Sequence, residues 1–267
     1  MTALTPDLNL TGRRILLTRP EQQQASLRAA IEQIGGTAES LPLLTIEAID
    51  DADAIQHARS LVQDLDRYHI IIFISSNAVK FGGDLIEDFW PQFPVGIQVI
   101  AIGETTARAA STRFACTVIR PSRGSNSEAV LALPELDQLQ DKRVAIVRGQ
   151  GGRELLASTL RERGARVDYI EVYRRMPAPV DTGDVKDKLV GQPCDAITVH
   201  SGESLDRLIS LSADNIDKVT LIPLAVPSPR VATQAREAGF KVVLNADGAD
   251  DSAMVTILSA WFARAEA

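Results

Sequence analysis

RVAIVRGQGGRELLASTLRERGARVDYIEVYRR, residues 143–175, has a counterpart near the start of this 267-residue chain. RRILLTRPEQQQASLRAAIEQIGGTAESLPLL, residues 13–44, matches it when Arg143 is placed over Arg14. Each copy has a short apolar run, a helical apolar stripe and a Gly (Gly35 or Gly164) where a left-handed helix cap is needed. The stretch therefore predicts a βαβ unit that is used twice.

A single pair of matching βαβ units can arise by chance in an α/β protein, because every such unit has these parts. With a second repeat, two halves that share one order of elements explain the matches more simply than chance does. HIIIFISSNAV at residues 69–79 lies over DAITVHSGESL at 195–205, and QVIAIGETTARAA at 98–110 lies over TLIPLAVPSPRVA at 220–232. We therefore expect two halves with the same order of elements and a parallel α/β fold throughout.

Three local features predict how the strands and helices are divided. HIIIFISS is apolar without alternation, as in parallel strands that are buried on both faces. Pro42 lies inside an extended run at residues 38–49, which indicates an edge or linker strand. We expect Gly82-Gly83 to interrupt a helix and residues 95–102 to form a strand.

A linker-like run follows the first βα unit of each half. The prediction is therefore one domain from both chain ends, residues 1–40 plus 175–267, and a second domain from residues 50–168. Residues 41–49 and 169–174 are expected to be linker strands. Because two strands join the domains, this organisation predicts a hinged cleft.

Composition excludes several classes of function. The net charge of −7 argues against nucleic-acid binding, which needs a basic surface. No apolar run approaches a membrane span, and residues 1–13 lack the pattern of a signal peptide, so we expect a cytoplasmic protein. Cys116 and Cys194 lie outside any CxxC spacing and the three histidines are scattered, so we expect buried free thiols and no metal.

The loops at the carboxyl ends of the strands are where ligands bind in parallel sheets. Most carry hydroxyl groups, small residues and backbone N–H groups at helix N-termini, which suit anions. Capping alone explains any one loop, but eight such loops favour a multiply charged ligand. Expected ligand-binding residues are Thr18, Arg19, Ser75, Ser76, Asn77, Gly103, Thr105, Thr106, Ser127, Arg148, Gly149, Gly151, Gly152, Arg153, His200, Ser201, Gly202, Ser228 and Arg230.

Catalytic groups are few. RGQGGRE lacks the spacing and the Lys of a phosphate loop, and no GxGxxG follows a strand, so no nucleotide cofactor is expected. His200 follows a strand and is either a general base or a loop histidine without a catalytic role. Tyr173 either directs its phenol into the cleft or is an interior Tyr with a satisfied hydroxyl.

The chain resembles the uroporphyrinogen-III synthase family over nearly its whole length. The resemblance rests on ILLTRP, IGG, IIFISSNAV, IAIGETTARA, VRGQGGRELLASTLRERGARVDYIEVY and ITVHSGES, in that order. It implies two flavodoxin-like domains joined by a two-stranded linker. Two departures stand out: Ser75-Ser76-Asn77 replaces the commoner Ser-Pro-Asn, and His200 stands where Thr or Ser is usual.

The resemblance also implies the reaction, a cofactor-free lyase step in heme biosynthesis. Hydroxymethylbilane, a linear tetrapyrrole with eight carboxylates, is closed with inversion of ring D and loss of water. The tyrosine of the family's VY motif matches Tyr173 and is expected to help the hydroxyl depart. The alternative is a two-lobed protein that binds or senses an anion or a tetrapyrrole without catalysis. We expect a monomer that binds only this small molecule.

Overall fold

The computed structural model describes residues 8–152 and 154–265, so Arg153 of the predicted site lies outside the described residues. The strands are β1 (Arg14–Leu17), β2 (Thr37–Ser40), β3 (Leu44–Ala48), β4 (Ile70–Phe73), β5 (Gln98–Ala101), β6 (Val118–Ile119), β7 (Arg143–Gly149), β8 (Arg166–Pro177), β9 (Ala196–Thr198), β10 (Leu224–Val226) and β11 (Val243–Asn245). The helices are α1 (Ala25–Gln33), α2 (Ala52–Gln63), α3 (Ser76–Glu87), α4 (Glu104–Phe114), α5 (Ser127–Leu131), α6 (Leu155–Glu162), α7 (Thr182–Lys186), α8 (Gly202–Leu211), α9 (Ile216–Val219), α10 (Pro229–Glu237) and α11 (Asp251–Ala265).

The chain divides into two compact units. Unit 2 is Ile46–Arg175, and unit 1 contains the described residues up to Thr45 and from Met176 onward. The chain thus leaves unit 1 within β3 and returns within β8, and these strands are neighbours in one sheet. The predicted two-domain α/β fold is confirmed. We retain as a proposal the finer boundaries, with linker strands at 41–49 and 169–174.

Each unit is built on a parallel sheet with the same spatial order. Unit 1 has the order β2-β1-β9-β10-β11, the strand order of flavodoxin-like sheets. Unit 2 has β8-β7-β4-β5-β6, with β3 added beside β8. The repeated βαβ unit therefore occupies the same end of both sheets. In chain order it comes first in unit 1 and last in unit 2.

Strand β4 shows why its apolar run does not alternate. Ile71 and Phe73 pack into the core on one face of the sheet, while Ile70 and Ile72 pack into the core on the other. Because both faces are covered, every position is buried. The prediction of a strand buried on both faces is confirmed.

The glycines that end the first helix of each repeat have the predicted conformation. Gly35 has φ +85° and Gly164 has φ +93°. Both values lie in the left-handed region, which glycine adopts without a steric penalty.

The prediction that Gly82-Gly83 interrupts a helix was wrong. Helix α3 runs through both residues. Glycine suits these two positions because other parts of the unit lie too close to leave room for a side chain. A Cβ on Gly82 would lie 2.6 Å from Val147 Cγ1 of β7, and one on Gly83 would meet the Arg113 guanidinium of α4. These glycines let α3 pack closely, which outweighs their low helix propensity.

Two predicted extended segments are also shorter than expected. The run at 38–49 is split into β2 and β3 around Pro42, while Leu41 and Leu43 remain buried and donate backbone N–H bonds to the Leu17 and Thr18 carbonyls. The strand expected from Val95 begins only at Gln98. Val95 is 98% exposed and precedes Gly96, whose φ is +90°, so this stretch is a turn.

Candidate functional site

Helices α3, α4 and α5 begin at the carboxyl edge of the unit 2 sheet. Ser75 Oγ accepts the Ala78 N–H (3.0 Å) at the start of α3, and Asn126 Oδ1 accepts the Ala129 N–H (2.9 Å) at the start of α5. Helix α4 begins at Gly103 without a side-chain cap. Among the other predicted residues, Ser76, Asn77, Thr105, Thr106 and Ser127 lie in the first turns of these helices, with Thr106 buried.

Tyr173 joins this edge from β8. Its side chain is 1% exposed, and its hydroxyl lies 3.0 Å from Ser75 Oγ. The ring packs against Gly149 of β7 and against Phe81, with centroids 5.9 Å apart. The Arg175 guanidinium lies 5.9 Å from the ring centroid. Of the two alternatives for Tyr173, the structure shows an interior phenol with a satisfied hydroxyl.

The loop after β7 is folded around Arg148. The side chain of Arg148 is 4% exposed, and its guanidinium donates to the carbonyls of Gly149 and Gly151 and pairs with Glu154. It also stacks on the Tyr169 ring at 4.5 Å. Gly151 and its neighbour Gly152 have positive φ, which lets the loop wrap back over the side chain. Arg148 is thus held by its own loop, and its contact with a substrate stays a prediction.

The corresponding edge of unit 1 also carries polar side chains. Thr18 is buried, and its hydroxyl donates to the Thr198 carbonyl at 2.7 Å, so it ties β1 to β9. Arg19 pairs with Asp251 at 2.8 Å. Two serines cap helices in this unit: Ser201 accepts from the Ser204 N–H (3.1 Å), and Ser228 accepts from the Val231 N–H (3.5 Å).

Gly202 opens helix α8 beside a guanidinium. A Cβ at this position would lie 3.3 Å from Arg230 Nη1 and 2.7 Å from Gln234 Oε1, both of α10. A residue with a side chain here would displace the ends of the Gln234 and Arg230 side chains. Arg230 therefore lies beside the α8 N-terminus. The full positive charge of its guanidinium adds to the partial positive charge of the helix dipole.

His200 lies at the same edge, between β9 and the Ser201 cap. Burial, and secondarily the positive charge of Arg19, lowers the pKa of His200 to about 3. The imidazole is therefore neutral at physiological pH, and with so low a pKa it is a weak base. This counts against the general-base alternative.

We expect the buried imidazole to make the protein sensitive to acid. An unfolded histidine titrates near pH 6.5, so between about pH 3 and 6.5 the unfolded state binds a proton that the native His200 does not. The free energy of unfolding should fall as pH drops through this window, by up to about 1.4 kcal/mol per pH unit. Urea unfolding of wild type and His200→Leu at pH 7, 5.5 and 4.5 checks this, and the variant should gain stability relative to wild type as pH falls. Parallel curves would contradict the expectation.

Three residues that bond to a predicted site residue or cap a helix at these edges were not among the predicted site residues. Asp251 holds Arg19, Asn126 rather than Ser127 caps α5, and Gln24 donates its side-chain N–H to the Arg19 carbonyl at 2.7 Å. Asn126 immediately precedes helix α5 and Asp251 opens helix α11, both in stretches with the expected polar composition, so the signal was present. Gln24 is buried within a polar stretch, and the sequence pattern does not distinguish it.

Within residues 8–152 and 154–265, no cluster of side chains is arranged to hold a metal ion. The helices of this part of the chain include none long and apolar enough to cross a membrane. Cys194 is buried, which raises the pKa of its thiol to about 12, whereas Cys116 is half-exposed and departs from the expected burial.

The amino-acid sequence matches one family model and is similar to several named proteins. A family model described as uroporphyrinogen-III synthase HemD matches residues 25–256. A uroporphyrinogen-III synthase of Salmonella typhimurium is 33% identical over 246 residues, which is 91% of this chain and 99% of that protein. The uroporphyrinogen-III synthase of Escherichia coli is 31% identical over 249 residues, again 91% and 99%.

Solved structures resemble the fold at lower sequence identity. A mutant uroporphyrinogen III synthase of Thermus thermophilus superposes with a TM-score of 0.61 at 17% identity, covering 95% of this chain and 99% of that chain. A uroporphyrinogen-III synthetase of Helicobacter pylori gives 0.59 at 14% identity, covering 93% and 99%. These likenesses concern the fold alone.

Proposed function

The chain belongs to the uroporphyrinogen-III synthase family, and on that premise we propose that it closes hydroxymethylbilane and binds the substrate carboxylates through loops at the carboxyl ends of its strands. The enzyme is a lyase. Its substrate is a linear tetrapyrrole with eight carboxylates, and its product is uroporphyrinogen III, in which ring D is inverted.

The chemical problem is mainly one of steering. Loss of the hydroxyl from ring A leaves a reactive azafulvene, which closes without inversion when unguided. Inversion requires ring D to attack through its substituted carbon, giving a spiro intermediate that fragments and closes again. Holding the chain ends in one geometry therefore matters more than strong acid or base catalysis. The weak basicity of His200 is consistent with such a site.

The observation that carries the proposal is the set of helix N-termini at both sheet edges. Their caps are side chains of Ser75, Asn126, Ser201 and Ser228, and α4 starts at Gly103 with no side-chain cap. Backbone N–H groups and the helix dipole bind carboxylates locally, even in a protein with net charge −7. We assign the remaining predicted residues at these edges, Arg19 and Arg230 among them, to substrate binding on the same basis.

We assign proton donation to Tyr173, acting through Ser75. The phenol is buried, whereas Ser75 is half-buried and lies 3.0 Å from it. In this scheme a proton passes through the serine to the departing hydroxyl, which leaves as water. The proton lost at the final ring closure restores the phenol. A phenol is only a modest general acid, so this donor assists the departure without dominating it.

The direct test is an assay with freshly prepared hydroxymethylbilane and no added metal or cofactor. After oxidation of the product, chromatography separates the uroporphyrin isomers. We expect isomer III to predominate. Isomer I alone, from a protein shown to be folded, would refute the proposal and favour a protein that binds or senses the tetrapyrrole without catalysis.

Tyr173→Phe is expected to lower kcat about 100-fold without abolishing turnover, at the low end of what general acid catalysis contributes, because it removes a modest proton donor and leaves the binding loops intact. The change in KM should be small. Initial rates with hydroxymethylbilane measure both constants. Tyr169→Phe is a matched control, since it removes a phenol that instead donates to Glu154 at 2.6 Å. Unchanged kcat in Tyr173→Phe would remove Tyr173 from the mechanism, and total loss in a folded variant would indicate a stronger acid role.

A further inference from the structure

His200 has a hydrogen-bonding requirement that none of the described residues meets. Both ring nitrogens are buried, and neither has a partner among the residues that the structure describes. Buried polar atoms in native proteins are nearly always paired, and exceptions require an explanation. A neutral imidazole has one N–H donor and one lone pair, so both capacities are unmatched here.

Arg19 stands at the end of the strand next to the one that leads to His200, because it follows β1, which pairs directly with β9. Its guanidinium donates to Asp251 Oδ1 at 2.8 Å, and its carbonyl accepts from the buried Gln24 side chain. A guanidinium has five N–H donors in a planar fork, so one bond to Asp251 does not exhaust it.

We propose that Arg19 and His200 together bind one carboxylate of the tetrapyrrole, with Arg19 supplying the charge and His200 donating an imidazole N–H. This inference rests on the proposed function and deepens it. A second cation beside Arg19 would be repelled, whereas a neutral ring adds a donor without adding charge. The carboxylate also supplies the acceptor that the buried N–H lacks.

The neutral imidazole of His200 can act as a donor through one ring nitrogen or as an acceptor through the other. The opposite arrangement, in which the imidazole lone pair accepts a pyrrole N–H, predicts no dependence on Arg19 and is separated by the experiment below.

The experiment is a double-mutant cycle on the full-length enzyme with hydroxymethylbilane as substrate. We expect His200→Leu to raise KM about tenfold with kcat within about twofold, as for loss of one hydrogen bond to a charged group. His200→Gln, which keeps an N–H donor, should recover most of the loss. In the double variant with Arg19→Gln, removing His200 should cost less than it does in wild type, because the shared carboxylate is already released. His57→Leu, at an exposed position on α2, is the matched control and should leave KM unchanged.

Two results would overturn the inference. One is an unchanged KM in His200→Leu. The other is strict additivity with Arg19→Gln, which would mean that the two side chains do not hold the same group and would favour the pyrrole arrangement.

A binding measurement separates this inference from the proposed function. The chain has three histidines, so the ¹⁵N signals of His200 can be assigned from the His200→Leu spectrum. Adding uroporphyrin III, an octacarboxylate that does not undergo the reaction, should shift these signals in wild type but not in Arg19→Gln. If wild type produces no isomer III yet shows this shift, the proposed reaction fails and the shared carboxylate site stands. Absence of the shift in an active enzyme would contradict the shared site alone.

Discussion

Gly149→Ala is expected to lower kcat/KM about 100-fold, because a misplacement of about 1 Å at a catalytic group costs that much. A Cβ at this position would lie 2.7 Å from Tyr173 Cζ and 2.9 Å from Cδ2. The ring is buried against Phe81 and cannot move aside without carrying its hydroxyl away from Ser75. Steady-state kinetics with hydroxymethylbilane measure the loss.

Two controls identify the cause. Gly82→Ala overpacks the same unit at Val147 and should lower the melting temperature with a much smaller effect on kcat/KM. In the Tyr173→Phe background, Gly149→Ala should cost less than in wild type, since the hydroxyl whose position it disturbs is already gone. A full 100-fold loss in that background would show that Gly149 acts through the loop and not through Tyr173.

Arg148→Leu is expected to destabilise the protein by about 3 kcal/mol. The substitution leaves the buried Gly149 carbonyl without its Arg148 donor, which costs about 1–3 kcal/mol, whereas the carbonyl of the exposed Gly151 can bond water instead. It also removes the guanidinium that stacks on Tyr169. Urea unfolding followed by circular dichroism gives the change in the free energy of unfolding.

Arg161→Leu provides the comparison for Arg148. Arg161 also lies over the Tyr169 ring, at 5.5 Å, but its hydrogen bond to the Val167 carbonyl is at an exposed site. We expect this variant to cost less than about 1 kcal/mol, as is usual for surface interactions. Equal costs for the two variants would mean that stacking on Tyr169, and not the bonds to the loop carbonyls, is what Arg148 contributes.

Local patterns in the sequence were sufficient for most of the fold. The apolar run of β4 indicated burial on both faces, and Gly35 and Gly164 marked two helix ends, because these features depend on a few neighbouring residues. Gly82-Gly83 misled the prediction for the opposite reason. Their close packing against Val147 and Arg113 involves other elements, and local helix propensity does not report it.

The sequence by itself determined the repeated βαβ unit, the parallel α/β class in two domains, the polar loops at the strand ends and the similarity to a synthase family. The tertiary structure decided what the individual side chains do. Tyr173 meets Ser75 across 98 positions, and Arg19 meets Asp251 across 232. The unmatched nitrogens of His200 likewise depend on what surrounds them in space. Periodicity and spacing report which face or loop a residue occupies, whereas hydrogen-bond partners, burial and the resulting pKa depend on chain segments that only folding brings together.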